Sequence, residues 1–79
     1  MTLKQKQRYI EEYMQGVVIN FEKHCERGYD ENCMQDFGEY AWVLSQLSGF
    51  SNFGLVSMEL THELLKRICK AKNGGDNHV

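Results

Sequence analysis

The stretch HCERGYDENC, residues 24–33, gathers His24, Cys25, Asp30 and Cys33 within ten positions, all of them side chains able to bind a metal or move a proton. Structural zinc sites are usually built from close pairs, such as two cysteines two to four residues apart. That pairing is absent here, and His62 and Cys69 lie far along the chain. Nucleophilic catalysis would need a thiol and an imidazole within hydrogen-bond reach. His24 and Cys25 are sequence neighbours, and neighbours on a helix do not face each other. The sequence also holds no glycine-rich phosphate loop, no paired-carboxylate motif and no serine-based motif. The expectation is therefore a non-enzyme with no cofactor and no metal. A thiol or metal sensor built on Cys25 and Cys33 ranks third among the readings below.

A second unusual group is SGFSNFGL, residues 48–55, where Phe50 and Phe53 stand between Gly49 and Gly54. Loops are ordinarily polar and superficial. An apolar residue after a helix-ending glycine packs back on the last turn, which suits Phe50 against Leu44 or Leu47. One before a helix start packs on the first turn as a hydrophobic staple, which suits Phe53. Both are then plugs between helices. The sharper alternative makes them a tip for a partner, since aromatic residues are enriched at interface hot spots.

The elements that carry these groups read as helices throughout. There is no proline, no strand-like alternation and no internal repeat. Thr2 and Gln5 fit a capping box at the start of a first helix. Ile10, Met14, Val17, Phe21 and His24 follow at four-three spacing, flanked by Val18 and Cys25. Gly28 is its natural stop. Asp30 is the expected N-cap of a second helix, with the stripe Cys33, Phe37, Tyr40, Leu44 and Leu47 and with Gly49 as its end. A third helix carries Val56, Leu60, Leu64 and Ile68 in one line and Leu55, Met58, Leu65 and Cys69 in another. The predicted helices span about 3–27, 31–48 and 54–70, in a single domain over 1–72 with a disordered tail at 73–79. The short first link makes the first two helices antiparallel neighbours. The fold class is all-α: a small three-helix bundle, an antiparallel hairpin plus a third helix.

Composition narrows the function classes. The 79 residues include 9 basic and 11 acidic ones, for a net charge of -2. A nonspecific nucleic-acid binder needs excess Lys and Arg to neutralise phosphates. A helix-turn-helix would present a third helix whose first turn lacks Arg and Lys, the basic residues lying instead at Lys4, Lys6 and Arg8. No apolar run reaches the ~18 residues that a membrane crossing needs, and three cysteines suit thiols in a reducing compartment. The expected location is the cytoplasm.

Some residues are left unused by the helical stripes: Trp42, Tyr9, Tyr13, Ile19 and the second line of the third helix. A core this small supplies only roughly 3–5 kcal/mol, and a two-fold interface is the simplest cover for leftover apolar surface. A homodimer through Leu55, Met58, Leu65 and Cys69 is expected. Trp42, Phe50, Phe53, Tyr9 and Tyr13 would then bind another protein, with Asp36 and Glu39 as an acidic rim. The leading function is a non-catalytic interaction module: an inhibitor, adaptor or regulatory subunit of the kind a phage or mobile element uses to block a host or defence factor. The alternative is a dimeric, helix-turn-helix-like DNA-binding transcriptional regulator.

Overall fold

The computed structural model describes residues 1–74 and consists of three helices, α1 (Leu3–Cys25), α2 (Met34–Asn52) and α3 (Met58–Lys72). No strand occurs among the described residues. The all-α three-helix bundle is therefore the fold, and no helix among these residues is long and apolar enough to cross a membrane.

α1 follows its local code. Thr2 Oγ1 accepts from the Gln5 N–H at 3.1 Å, and Gln5 Oε1 accepts from the Thr2 N–H at 2.8 Å, which closes the capping box. Its stripe delivers Met14, Val17, Val18, Phe21 and Cys25 to the core. α2 supplies Val43 and Leu47, α3 supplies Leu64 and Ile68, and Val56 joins them from the preceding turn. Phe21 anchors one end of the core, its ring 6.4 Å from Tyr29 and 6.2 Å from Tyr40.

Five boundaries differ from expectation. The helical part of α1 stops at Cys25, two residues short, and Gly28 turns the chain at φ 97°. α2 begins at Met34 after Cys33, not after Asp30. Asp30 instead forms a local turn in which its carboxylate accepts from the Asn32 N–H at 2.9 Å. α2 also runs through Gly49 to Asn52, so that Phe50 is helical and packs edge-on against Tyr13 of α1 at 6.2 Å. The stop is Gly54, at φ 73°, where Leu55 N–H donates to the Phe50 carbonyl at 2.9 Å and Gly54 N–H to that of Ser51 at 3.0 Å. This is a Schellman motif, which requires a left-handed residue and so selects Gly54 over Gly49.

α3 starts at Met58 rather than 54, because Ser57 is the cap residue and its Oγ accepts from the Leu60 N–H at 3.1 Å. Val56, 3% exposed, occupies the staple position before that cap. Phe53 does not, being 81% exposed. Phe50 does plug two helices, though from within α2 and against Tyr13 of α1 rather than after a helix-ending Gly49 against Leu44 or Leu47, and Phe53 does not. α3 also continues to Lys72, with Asn73 as its cap and Gly74 in the left-handed region. The expected tail from residue 75 onward lies outside the described residues.

The topology is up-down-up. Gln7 reaches Gly54 while His24 reaches Asp36, so α2 runs antiparallel to α1. Glu11 reaches Ser57 while Glu22 reaches Arg67, so α1 and α3 run parallel. α2 packs against both, and its inward line is Tyr40, Val43, Leu47 and Phe50, leaving Phe37 about half exposed.

Candidate functional site

The cluster that invited chemistry folds into a clasp. His24 Nε2 lies 2.7 Å from Asp36 Oδ1, and Asp36 Oδ2 accepts the Asp30 N–H at 2.9 Å. Arg27 Nη2 approaches His24 Nδ1 at 3.3 Å. One carboxylate thus pins the link to the start of α2, and Asp36 is engaged inside the chain rather than offered as a rim charge. The hydrogen bond from the Asp30 backbone, and next that from His24, hold its carboxyl below the ordinary aspartate range. Burial pushes the Cys25 thiol up, reinforced by the charges of Asp36 and Glu22. A raised thiol is the opposite of an activated nucleophile. Among the described residues no three His, Cys, Asp or Glu side chains converge as a metal site, and the three cysteines are unpaired.

The other acidic residues are drawn into the fold in the same way. Glu11 accepts the Ser57 N–H at 2.9 Å and so caps α3 from α1. Glu22 receives both Arg67 Nε at 3.0 Å and Nη2 at 2.6 Å, a bidentate pair. Glu31 lies 3.1 Å from Lys72 Nζ, whose ammonium also sits 5.6 Å and 5.2 Å from the Tyr29 and Tyr40 ring centres. Glu11, Glu22, Glu31 and Asp36 thus serve as ties within the chain.

These ties set an acid limit. The Arg67 hydrogen bond lowers the Glu22 carboxyl, as the Asp30 and His24 contacts lower Asp36. A carboxyl depressed in the folded chain contributes stability that is present above its unfolded pKa, about 4. That contribution is lost as pH falls through the folded value. The melting temperature should stay level from pH 7 to about 5 and fall below about 4. Glu22→Gln should melt lower at pH 7 and show a shallower acid drop, measured by circular dichroism.

The three seams between helices now differ in kind. The α1/α3 seam is closed by the Glu11 and Glu22 ties. The α1/α2 seam is tied by the His24–Asp36 pair at the start of α2, but the two lines that flank it further along hold no charged side chain. On α1, Tyr9, Tyr13, Gly16 and Asn20 follow one another at spacings of four, three and four; on α2, Trp42, Gln46 and Gly49 begin the same series, and Phe53, the cap residue just past its end, extends it. Such spacing keeps each set on one helical line. Tyr13 meets Phe50, the inward neighbour of Gly49, so the two lines flank this contact. Tyr9 is 63% exposed and Trp42 47%, so with Tyr13 and Phe53 the seam presents four accessible aromatic rings. No heavy atom lies within 4 Å of the Cβ that either Gly16 or Gly49 lacks, so the floor between the rings is open.

The α2/α3 seam is open too, with a different composition. α2 contributes Phe37, Ala41, Leu44 and Ser48, and α3 contributes Met58, His62, Leu65 and Cys69, again at four, three and four. A groove of about 260 Å³ runs along it, with the core residues Leu47 and Thr61 in its lining. Thr61 Oγ1 donates to the Ser57 carbonyl at 2.8 Å and pairs with Ser51 Oγ at 3.1 Å across the groove.

The structure brings Tyr13 and Phe50 into contact, Phe50 mostly inside, and helical spacing sets Tyr9 on the Tyr13 line and Trp42 and Phe53 on the line beside Phe50, with Tyr9, Tyr13, Trp42 and Phe53 all exposed. Met58, Leu65 and Cys69 share the α2/α3 seam, with Leu55 half-buried in the turn between α2 and α3. Glu39 is exposed on α2. Sequence reasoning did not place Gly16, Asn20, Gln46 and Gly49 on the first seam, and it assigned Phe37 to the core stripe, where the structure leaves it half exposed; Leu44 does pack against the core while also lining the second seam. The repeated four-three-four spacing was the signal that could have found them. Against known protein families, curated proteins and solved structures, the chain finds no match.

Proposed function

We propose that this chain is a non-catalytic protein–protein interaction module, an inhibitor, adaptor or regulatory subunit, that works as a homodimer in the cytoplasm and docks its partner on the α1/α2 seam. The carrying observation is the strip of Tyr9, Tyr13, Trp42 and Phe53 over the two open glycines. Tyrosine and tryptophan bury large area with few rotatable bonds, and they dominate interface hot spots. An uncharged strip involves no desolvation of ions when it is covered. The unpaired cysteines favour a reducing compartment. The DNA-reading alternative loses ground on the outer side of α3, where Glu59 and Glu63 would meet phosphates beside Lys66 and Lys70.

The test is capture from a lysate of the source cells on immobilised chain, followed by titration of the captured protein. The expected result is one stoichiometric partner, bound roughly 30-fold more weakly by Trp42→Ala or Phe53→Ala, the loss typical of a hot-spot truncation. Equal capture by wild type and both variants would remove the strip from the interface. Salt-sensitive binding of duplex DNA in place of a protein would favour the regulator.

A further inference from the structure

We infer that the α2/α3 seam seats a second copy of this chain, related by a two-fold axis, and that the two open seams divide the work. The inference rests on the homodimer reading above and specifies its surface.

Composition separates the seams. Obligate homodimer interfaces resemble a domain core cut in half, rich in aliphatic residues and methionine. The α2/α3 seam has that character: Leu44 and Leu65 line a groove that reaches the core residue Leu47, and Met58 and Phe37 are exposed on the same two helical lines. The α1/α2 seam instead has the Tyr and Trp character of hot spots. In an isologous contact each patch faces its own image. A seat carrying net charge would therefore face like charge. The two facing lines of this seam hold no Asp, Glu, Lys or Arg.

The exposed area agrees. Met34 continues the α2 line one turn before Phe37 and Met58 opens the α3 line, so in this antiparallel pair they mark the two ends of the face, 82% and 68% exposed. With Phe37 and Leu65 these residues expose on the order of 450 Å² at roughly 200 Å² per large side chain. Two copies with their polar neighbours would cover about 1,200 Å², the lower end of specific interfaces. The seat also explains why a half-open groove of about 260 Å³ is lined without a single formal charge.

The experiment is light scattering coupled to size exclusion on the full chain, over a dilution series from about 100 μM. The expected wild-type mass is twice 9.2 kDa. Leu65→Glu and, at the more exposed position, Met58→Glu should each run as monomers of unchanged helicity. By symmetry each new carboxylate enters the seam twice, so the dimer dissociation constant should rise at least about 100-fold. A monomeric wild type would overturn the inference, as would dimers persisting in both variants. Monomers of Trp42→Ala or Phe53→Ala beside dimeric Leu65→Glu would place the copies on the α1/α2 seam and overturn the docking reading as well. Monomeric Leu65→Glu that still captures the partner would uphold both. Monomeric Leu65→Glu with a wild type that captures no partner would uphold the seat and sink the docking reading alone.

Discussion

Phe21→Ala should leave the chain without a cooperative thermal transition near ambient temperature. Its ring is 1% exposed and touches two further rings, those of Tyr29 and Tyr40. Tyr29 itself belongs to the link after α1, so Phe21 ties the first helix, the link and α2 at one point. Removing a buried phenylalanine costs about 3–5 kcal/mol, part lost transfer energy and part cavity. A single core of this size supplies roughly 3–5 kcal/mol in total. The two quantities are equal within their spread, so the variant should sit at or below the folding threshold. Its far-ultraviolet circular dichroism should show a large loss of helix, or a midpoint lowered by more than about 15 °C, given 4–8 °C per kcal/mol in a domain this small. Phe53→Ala is the internal control. It deletes the same atoms from a side chain 81% exposed, and its midpoint should move by no more than a few degrees. A Phe21→Ala midpoint within about 5 °C of wild type would mean that the core is centred elsewhere.

That contrast between two phenylalanines marks what the sequence disclosed. α1 was legible almost whole, because its signals are local: a capping box across Thr2 and Gln5, then apolar residues at helical spacing. The fold class followed from the same periodicity in the other helices. The start of α2 was not legible. Asp30 has the chemistry of an N-cap, yet its turn is fixed by Asp36, and Asp36 is held by His24 twelve residues away. Gly49 and Gly54 look alike in the sequence. What distinguishes them is that Phe50 gains burial against Tyr13 by staying helical, so the helix runs on to the later glycine. The ties of α1 to α3 were not legible for a related reason. Periodicity places Glu11 and Glu22 on the polar side of α1, but only the parallel packing of α3 shows that Ser57 and Arg67 meet them there. The exposed aromatic residues were identified individually from their positions off the apolar stripes. Their assembly into one strip depends on the rotation and register of α2 against α1, which helical spacing alone does not contain.

The glycines on that strip give the second large effect, one in which stability and binding should move in opposite directions. Gly16 and Gly49 lie inside helices, with φ outside the left-handed region and no atom within 4 Å of an added Cβ. Nothing in the folded chain requires either to be glycine, and glycine inside a helix costs about 1 kcal/mol against alanine. Gly16→Ala combined with Gly49→Ala should therefore stabilise the chain by about 1.5–2 kcal/mol and raise its midpoint by about 6–16 °C. The two sites have no shared partner, so the increments should add. The same two methyl groups would fill the floor between Tyr13, Trp42 and Phe53, where close approach of a partner's backbone is the use that glycine serves. Capture of the partner should weaken even though the rings are untouched and the fold is firmer. A destabilised variant would show that the floor is already occupied from within. A stabilised variant with unchanged capture would restrict the contact to the rings. Stabilisation with weaker capture is the expected pair, because a marginal domain that carries two avoidable defects on one uncharged strip is giving up stability where a partner must come close.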